Sequence, residues 1–232
     1  MMLSAVMEDY LKAIYHLQAA SDERVRTSEI AERLDVTPPT VTSMIEKLDD
    51  RGLVDRKKYG GVTLTMEGEQ VAIEVIRHHR LLEAYLTEHL DYSWSEVHDE
   101  ADRLEHHISE DFEARVAAAL DDPSIDPHGD PIPTADLEPP ARQSDDSLGD
   151  CDEGDTVEVS RVSDRDRSVL EYLEERGVAP GSKLTIVEIA PFGMVTVKVN
   201  ETETVSLPQR IAHDVRVVRE ENSSPSDPQS VS

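Results

Sequence analysis

One cysteine, one tryptophan, two phenylalanines and six lysines are all that 232 residues contain of those types, and each shortage excludes something. A single thiol, Cys151, cannot close an internal disulfide, so no stapled secreted scaffold is expected. Aromatics at 4% and hydrophobics at 38% allow cores but not generous ones, and the length suits two small domains or one large one. There is no run of about 18 apolar residues, so no membrane span is expected. The opening MMLSAVMEDYLKAIYHL carries Glu8, Asp9 and Lys12 inside its apolar pattern, which breaks a signal-peptide core. A cytoplasmic protein is expected.

The lysine shortage accompanies an excess of acid: 50 acidic residues against 23 basic ones leave a net charge of -27. Taken alone, that charge repels phosphate and argues against nucleic acid. An acid-rich, lysine-poor surface also suits a cytoplasm near molar salt, where repulsion between exposed charges is screened within about 3 Å. On that reading, net charge does not veto DNA binding.

What is present begins with helices. Val6, Tyr10, Leu11, Ile14, Leu17 and Ala19 recur at helical spacing. RTSEIAERLDV reads as a short helix with Thr27 or Ser28 as N-cap. TPPTVTSMIEKLDDRGLV reads as a second helix, with Thr37 as N-cap, Pro38 in the first turn and Gly52 as the stop. LVDRKKYGGVTLT then reads as strand, Gly60-Gly61 turn and strand. Three helices and a hairpin make a winged helix-turn-helix pattern over 1–65.

Helical spacing returns from Met66 to Leu120, the core of a helical domain over 66–140, before prolines punctuate DDPSIDPHGDPIPTADLEPP. Residues 141–153 read as an acidic, flexible linker. Five short β-type runs and one helical piece within 154–219 suggest a small barrel, and 220–232 reads as a disordered tail. The expected fold is therefore mainly α with a small C-terminal β domain.

Two constellations carry chemistry. A helix opening T-P-P-T-V-T-S presents Thr37, Pro39, Thr40, Thr42 and Ser43 on its first turns, small side chains suited to base edges and thymine methyls in the major groove. Val41, Ile45 and Leu48 would face the core. Lys47, Arg51, Arg56, Lys57 and Lys58 form the densest basic cluster, at the helix end and wing where phosphates would pass. A winged helix can also serve as a protein-interaction module, but a local basic patch in so acidic a chain favours DNA.

The second constellation is HDEADRLEHH, residues 98–107, with three of the nine histidines and four carboxylates. If 96–119 is helical, His98, Asp102, Glu105 and His106 lie along one face, and the last three can converge on one ion. His79 and Glu83 stand at i, i+4 one helix earlier, and Asp9 on the first helix is a third source. Imidazole mixed with carboxylate suits Mn²⁺, Fe²⁺, Co²⁺ or Zn²⁺. The plain alternative is a solvated acidic face. The pairing of histidines with acids favours metal.

At this point the residues resemble the diphtheria-toxin-repressor family of metal-dependent transcriptional regulators. The likeness runs through MEDYLKAIYHL, RTSEIAERLDVTPPTVTSMIEKLDDRGLV, RHHRLLEAYL, VHDEADRLEHHIS and DPHGDPIP, and more loosely through an SH3-like, FeoA-type C-terminal domain over 154–219. It implies a homodimer that binds a palindromic double-stranded operator and represses metal-uptake genes. It also implies two metal sites per subunit, for Mn²⁺ or Fe²⁺. Asp9, Asp102, Glu105 and His106 match the activating site, and His79, Glu83 and His98 the ancillary one.

Metal at the first site would tie the first helix to the dimerisation helices and hold the two recognition helices one DNA turn apart, about 34 Å. The iron-responsive branch has methionine and cysteine where Asp9 and Asp102 stand. The manganese branch has acids there, yet a second N-terminal carboxylate where this chain has Lys12. Hard oxygen ligands lean towards Mn²⁺. Asp164 is the nearest C-terminal candidate for an added ancillary ligand. An enzyme is not expected, since HExxH, GxSxG and a phosphate-binding glycine loop are all missing. A metal-independent winged-helix regulator and a purely structural interaction protein are the remaining rivals.

Overall fold

The computed structural model describes residues 3–20, 24–57, 60–140 and 145–219, which fall into two compact units. The first takes in residues up to 126 and again 130–141. Its elements are α1 (Ala5–Ala20), α2 (Thr27–Arg33), α3 (Pro38–Asp49), β1 (Val54–Lys57), β2 (Gly61–Leu64), α4 (Met66–Leu90), α5 (Val97–Leu104) and α6 (Glu110–Ala119). Among the described residues no helix is long and apolar enough to cross a membrane.

Helix α1 forms because Met7, Tyr10, Leu11 and Ile14 make one apolar stripe, which packs with Ile30, Val41, Ile45, Leu48 and Val62. Val6, expected in that stripe, is 52% exposed; Met7 takes the inward place. Helix α2 begins one residue before the expected caps. Arg26 is its N-cap, and the Arg26 N–H donates to Glu29 Oε2 at 2.6 Å, so an acid three residues in does the work a hydroxyl was expected to do. Strands β1 and β2 pair antiparallel from Val54↔Leu64 to Lys57↔Gly61, and Val25 adds a bridge to Val62. This is the winged helix.

Helix α4 is the central beam, in contact with α1, α5 and α6. Thr65 caps it by accepting from the Gly68 N–H at 3.1 Å. Gly68 is required by space: a Cβ there would stand 1.9 Å from the Leu53 carbonyl oxygen, so α4 seats directly on the backbone below the wing.

The helical spacing over 96–119, which allows one helix or two, resolves into two. Glu105 caps α5, the His107 N–H closes a turn onto the Leu104 carbonyl, and Ser109 opens α6 by accepting from the Phe112 N–H. Glu105 and His106 therefore lie in the bend and not along a continuous helix face.

The second unit contains Pro127–Gly129 and the chain from 142. Its elements are β3 (Asp146–Ser147), β4 (Thr156–Val162), α7 (Arg167–Glu174), β5 (Lys183–Ala190), β6 (Met194–Val199), β7 (Glu203–Pro208), α8 (Gln209–Ala212) and β8 (Val215–Arg219). The sheet runs β3-β8-β4-β5-β6-β7, with every pairing antiparallel. Alternating residues such as Val157, Val159, Leu184, Ile186, Val195 and Val197 are buried, as a one-sided sheet requires.

The stretch expected as a flexible linker is folded from 145 onward. Asp146 and Ser147 pair with β8, Leu148 is fully buried and Cys151 is buried too. Polar composition hid this, because two paired residues and one leucine suffice to hold it. Residues 141–144 and the expected tail, 220–232, lie outside the described residues. The chain is, as expected, mainly α with a small C-terminal β domain.

Candidate metal centre and nucleic-acid interface

Asp9 on α1 and the bend after α5 meet although 97 residues separate them. Asp9 Oδ1 lies 2.9 Å from His106 Nε2, and Glu105 Oε1 lies 3.4 Å from the same nitrogen. Asp9, Glu105 and His106 thus offer three ligand atoms within 4.8 Å of one another. The other ring nitrogen, His106 Nδ1, is 2.7 Å from Glu8 Oε2. A carboxylate behind a ligating imidazole fixes its orientation and raises its basicity. From the far side, His78 Nδ1 is 3.1 Å from the Glu105 carbonyl oxygen and His78 Nε2 is 3.2 Å from Glu113 Oε2. The bend carrying Glu105 is therefore pinned by its own backbone.

A second group adjoins the first. His79 Nε2 lies 2.9 Å from Glu83 Oε1 and 3.0 Å from His98 Nδ1, and His98 Nδ1 is 3.1 Å from the same Glu83 oxygen. His79 Nδ1 faces the other way, 2.6 Å from Glu105 Oε2 and 3.2 Å from Asp102 Oδ1. The structure therefore brings Asp9, Glu105 and His106 together. It sets Asp102, expected beside them, in a neighbouring group with His79 and Glu105. The reason is the end of α5: past Leu104 the spacing that would align Asp102 with His106 no longer holds. Asp164 lies in the second unit, after β4.

The electrostatics are those of buried acids held by cations. Glu83 is fully buried and Glu105 nearly so, which is costly for a carboxylate without a partner. His106 is pushed up to about 9, chiefly by its hydrogen bond to Asp9; burial opposes the charge, and Glu8 and Glu105 add to its retention. For His79 burial is the largest influence and works against the charged ring, as does the nearby Lys12 ammonium, but Glu83 and the bonds to Asp102 and Glu105 outweigh both and hold the ring well above its ordinary value. Burial likewise disfavours the Asp102 carboxylate, yet the His79 bond and the Lys12 charge hold it well below the usual range. Protons on imidazole fill the role a cation would take. A set of imidazole nitrogens and carboxylate oxygens at mutual ligand distance, anchored from behind, fits a divalent ion of the Mn²⁺, Fe²⁺ or Zn²⁺ kind.

The candidate DNA surface lies on α3. Thr37 is the N-cap residue, and Pro38 and Pro39 occupy the first two helical positions. Thr37, Pro39, Thr40, Ser43, Lys47 and Arg51 are exposed and Thr42 is half-buried, while Val41, Ile45 and Leu48 are buried. The exposed face carries small hydroxyls: Thr37 Oγ1 is 2.8 Å from Thr40 Oγ1, and Thr42 donates to the Pro38 carbonyl at 3.0 Å. Lys57 is exposed on β1, and Arg56 is paired with Glu46 at 2.8 Å. Lys58 lies outside the described residues.

Comparison with known proteins gives the same picture from outside. Residues 2–62 match the family described as iron dependent repressor, N-terminal DNA binding domain. Residues 65–134 match its metal binding and dimerisation domain, and 147–219 match the FeoA domain. The chain is 36% identical to the iron-dependent repressor IdeR of Mycobacterium tuberculosis over 221 residues, 90% of this chain and 95% of that one.

The chain belongs to the iron-dependent repressor family.

Within that family it is also 30% identical to the diphtheria toxin repressor of Corynebacterium diphtheriae, over 90% of this chain and 95% of that one. A solved manganese-dependent transcriptional repressor in complex with manganese superposes with a TM-score of 0.84 at 41% identity, covering 92% of this chain and all of that one. The family is one of transcriptional repressors.

Sequence reasoning missed three residues of this centre. Glu8 was noted only as a charge in the first helix, and its role depends on where the His106 ring ends. His78 carries no ligand signal in the sequence, yet it holds the Glu105 backbone. Lys12 stands three residues after Asp9, a helical spacing that places both on one face of α1; that signal was legible, but its target was not.

Proposed function

We propose that this iron-dependent repressor family protein binds a palindromic DNA operator as a homodimer, gated by Mn²⁺ or Fe²⁺ at Asp9, Glu105 and His106, and that it represses metal-uptake genes. The observation that carries the reading is the meeting of Asp9 with Glu105 and His106. One donor comes from the helix packed into the winged-helix core, and two come from the bend beyond the central helix. When bound, a divalent ion supplies the positive charge that lets these acids converge without protons. Asp9 then holds α1 against the bend, Glu8 and His78 keep the His106 ring and the Glu105 backbone in place, and the α3 face is presented in one orientation. Metal affinity becomes DNA affinity by linkage.

The remaining assignments follow the same chemistry. His79, Glu83 and His98 suit a second, ancillary ion, with Asp102 flanking His79. Thr37, Pro39, Thr40, Thr42 and Ser43 read base edges, while Lys47, Arg51, Lys57 and Lys58 meet phosphates. The oxygen-rich donor set, with no sulfur, favours Mn²⁺ over softer choices.

The test is recovery of genomic DNA fragments by the purified protein at high KCl, with Mn²⁺, with Fe²⁺ under anaerobic conditions, or with chelator. Fragments enriched only with metal support gating and reveal the operator. Equal recovery with chelator would instead favour a metal-independent winged-helix regulator.

A further inference from the structure

The Lys12 ammonium sits among acids that look like metal ligands. Its Nζ lies 2.8 Å from Glu105 Oε2, 3.1 Å from Glu105 Oε1, 3.2 Å from Asp102 Oδ1 and 3.2 Å from His79 Nδ1. His79, Asp102 and Glu105 themselves offer three ligand atoms within 4.8 Å of one another. We infer that Lys12 is the resident cation of this corner, occupying by covalent attachment the place that a further divalent ion, additional to the one at Asp9, Glu105 and His106 and to the ancillary one at His79, Glu83 and His98, would otherwise take among His79, Asp102 and Glu105. The inference rests on the proposed metal-gated function.

Three physical points support it. The space between the three donors already holds Nζ, and an ammonium and a divalent ion cannot share one small set of acids without strong repulsion. The Lys12 side chain is only 16% exposed and Glu105 is essentially buried, so water does not screen the contact. An ammonium offers three N–H donors and one charge, which suits two carboxylates whose remaining charge is shared with His79 and His106.

The consequence is regulatory as well as stoichiometric. Lys12 stands one turn beyond Asp9 on α1, so α1 keeps one permanent ionic link to Asp102 and Glu105 whether or not metal is present. A divalent ion would add the second link through Asp9. The metal response is then a strengthening of an existing attachment, and it calls for one ion fewer at this centre than the donors could accept.

The test counts Mn²⁺ per chain by equilibrium dialysis at high KCl for the full-length protein, Lys12→Glu and Lys12→Arg, with folding checked by circular dichroism. Lys12→Glu removes the ammonium and adds a carboxylate; it should bind one Mn²⁺ per chain more than wild type. Lys12→Arg keeps the cation and should match wild type. If Lys12→Glu does not fold, Lys12→Gln takes its place, with the same gain of one ion expected. Equal counts in wild type and in the charge-removing variant would overturn the role of Lys12 while leaving metal binding intact. No Mn²⁺ on any of the proteins would overturn the metal reading itself, and this inference with it.

Discussion

If a divalent ion binds at Asp9, Glu105 and His106, it must displace the proton that the imidazole carries. With the ring pushed up to about 9, only about 1% of it is neutral at pH 7, so the apparent affinity there is weakened about 100-fold, or about 2.7 kcal/mol, relative to pH well above 9. The side chain is 8% exposed, so solvent does little to soften the effect. Mn²⁺ affinity should therefore rise about tenfold per pH unit between 7 and 9 and then level off. Isothermal titration calorimetry at pH 7 in two buffers of different ionisation enthalpy should register release of about one proton per Mn²⁺ at this group. A flat affinity across this range, with no buffer dependence of the heat, would refute the reasoning.

The same ring makes a second, metal-free signature. Because its folded value lies above the unfolded value of about 6.5, the stability it contributes is fully present below pH 6.5 and is lost as pH rises through about 9; chelated protein should melt lower at pH 9 than at pH 6.5, and an unchanged or rising melting temperature would count against the Asp9 and Glu8 contacts. Replacing Glu8 with Gln should weaken Mn²⁺ binding about 10–100-fold with the fold intact, as loss of a carboxylate behind a ligating histidine does; titration calorimetry reads this directly. Gly68→Ala should lower stability by about 1–3 kcal/mol in chemical denaturation, since its Cβ would collide with the Leu53 carbonyl oxygen. Lys47→Ala should reduce the slope of log affinity against log salt by about one in a KCl titration of DNA binding, without changing which operator is chosen.

The parts of this molecule that could be read from the chain are those governed by local pattern. Val41, Ile45 and Leu48 announce the buried side of α3 by their spacing, and Gly60-Gly61 announces the wing. The five valine- and isoleucine-rich runs announce the C-terminal sheet for the same reason. What stayed hidden depends on where elements stop and on which side chains reach across. The bend at Glu105 breaks the face that spacing would have carried to His106, so Asp102 joins His79 and Lys12 instead. Leu148 and Cys151 are buried in a stretch whose composition is that of a linker. The Arg26 cap depends on a carboxylate three residues ahead and not on the hydroxyls beside it. Lys12 shows the limit most clearly: its place on the Asp9 side of α1 follows from spacing, but its contacts with residues 67 to 93 positions away do not.

The central claim is that metal gates DNA binding through the attachment of α1 to the bend after α5. It is tested most directly by fluorescence anisotropy on a recovered operator fragment at high KCl, for wild type and Asp9→Ala, each with Mn²⁺ and with chelator. Wild type should bind about 5–150-fold more tightly with Mn²⁺, the usual span of an allosteric coupling. Asp9→Ala should bind equally weakly in both conditions. A full Mn²⁺ response in Asp9→Ala would contradict the account.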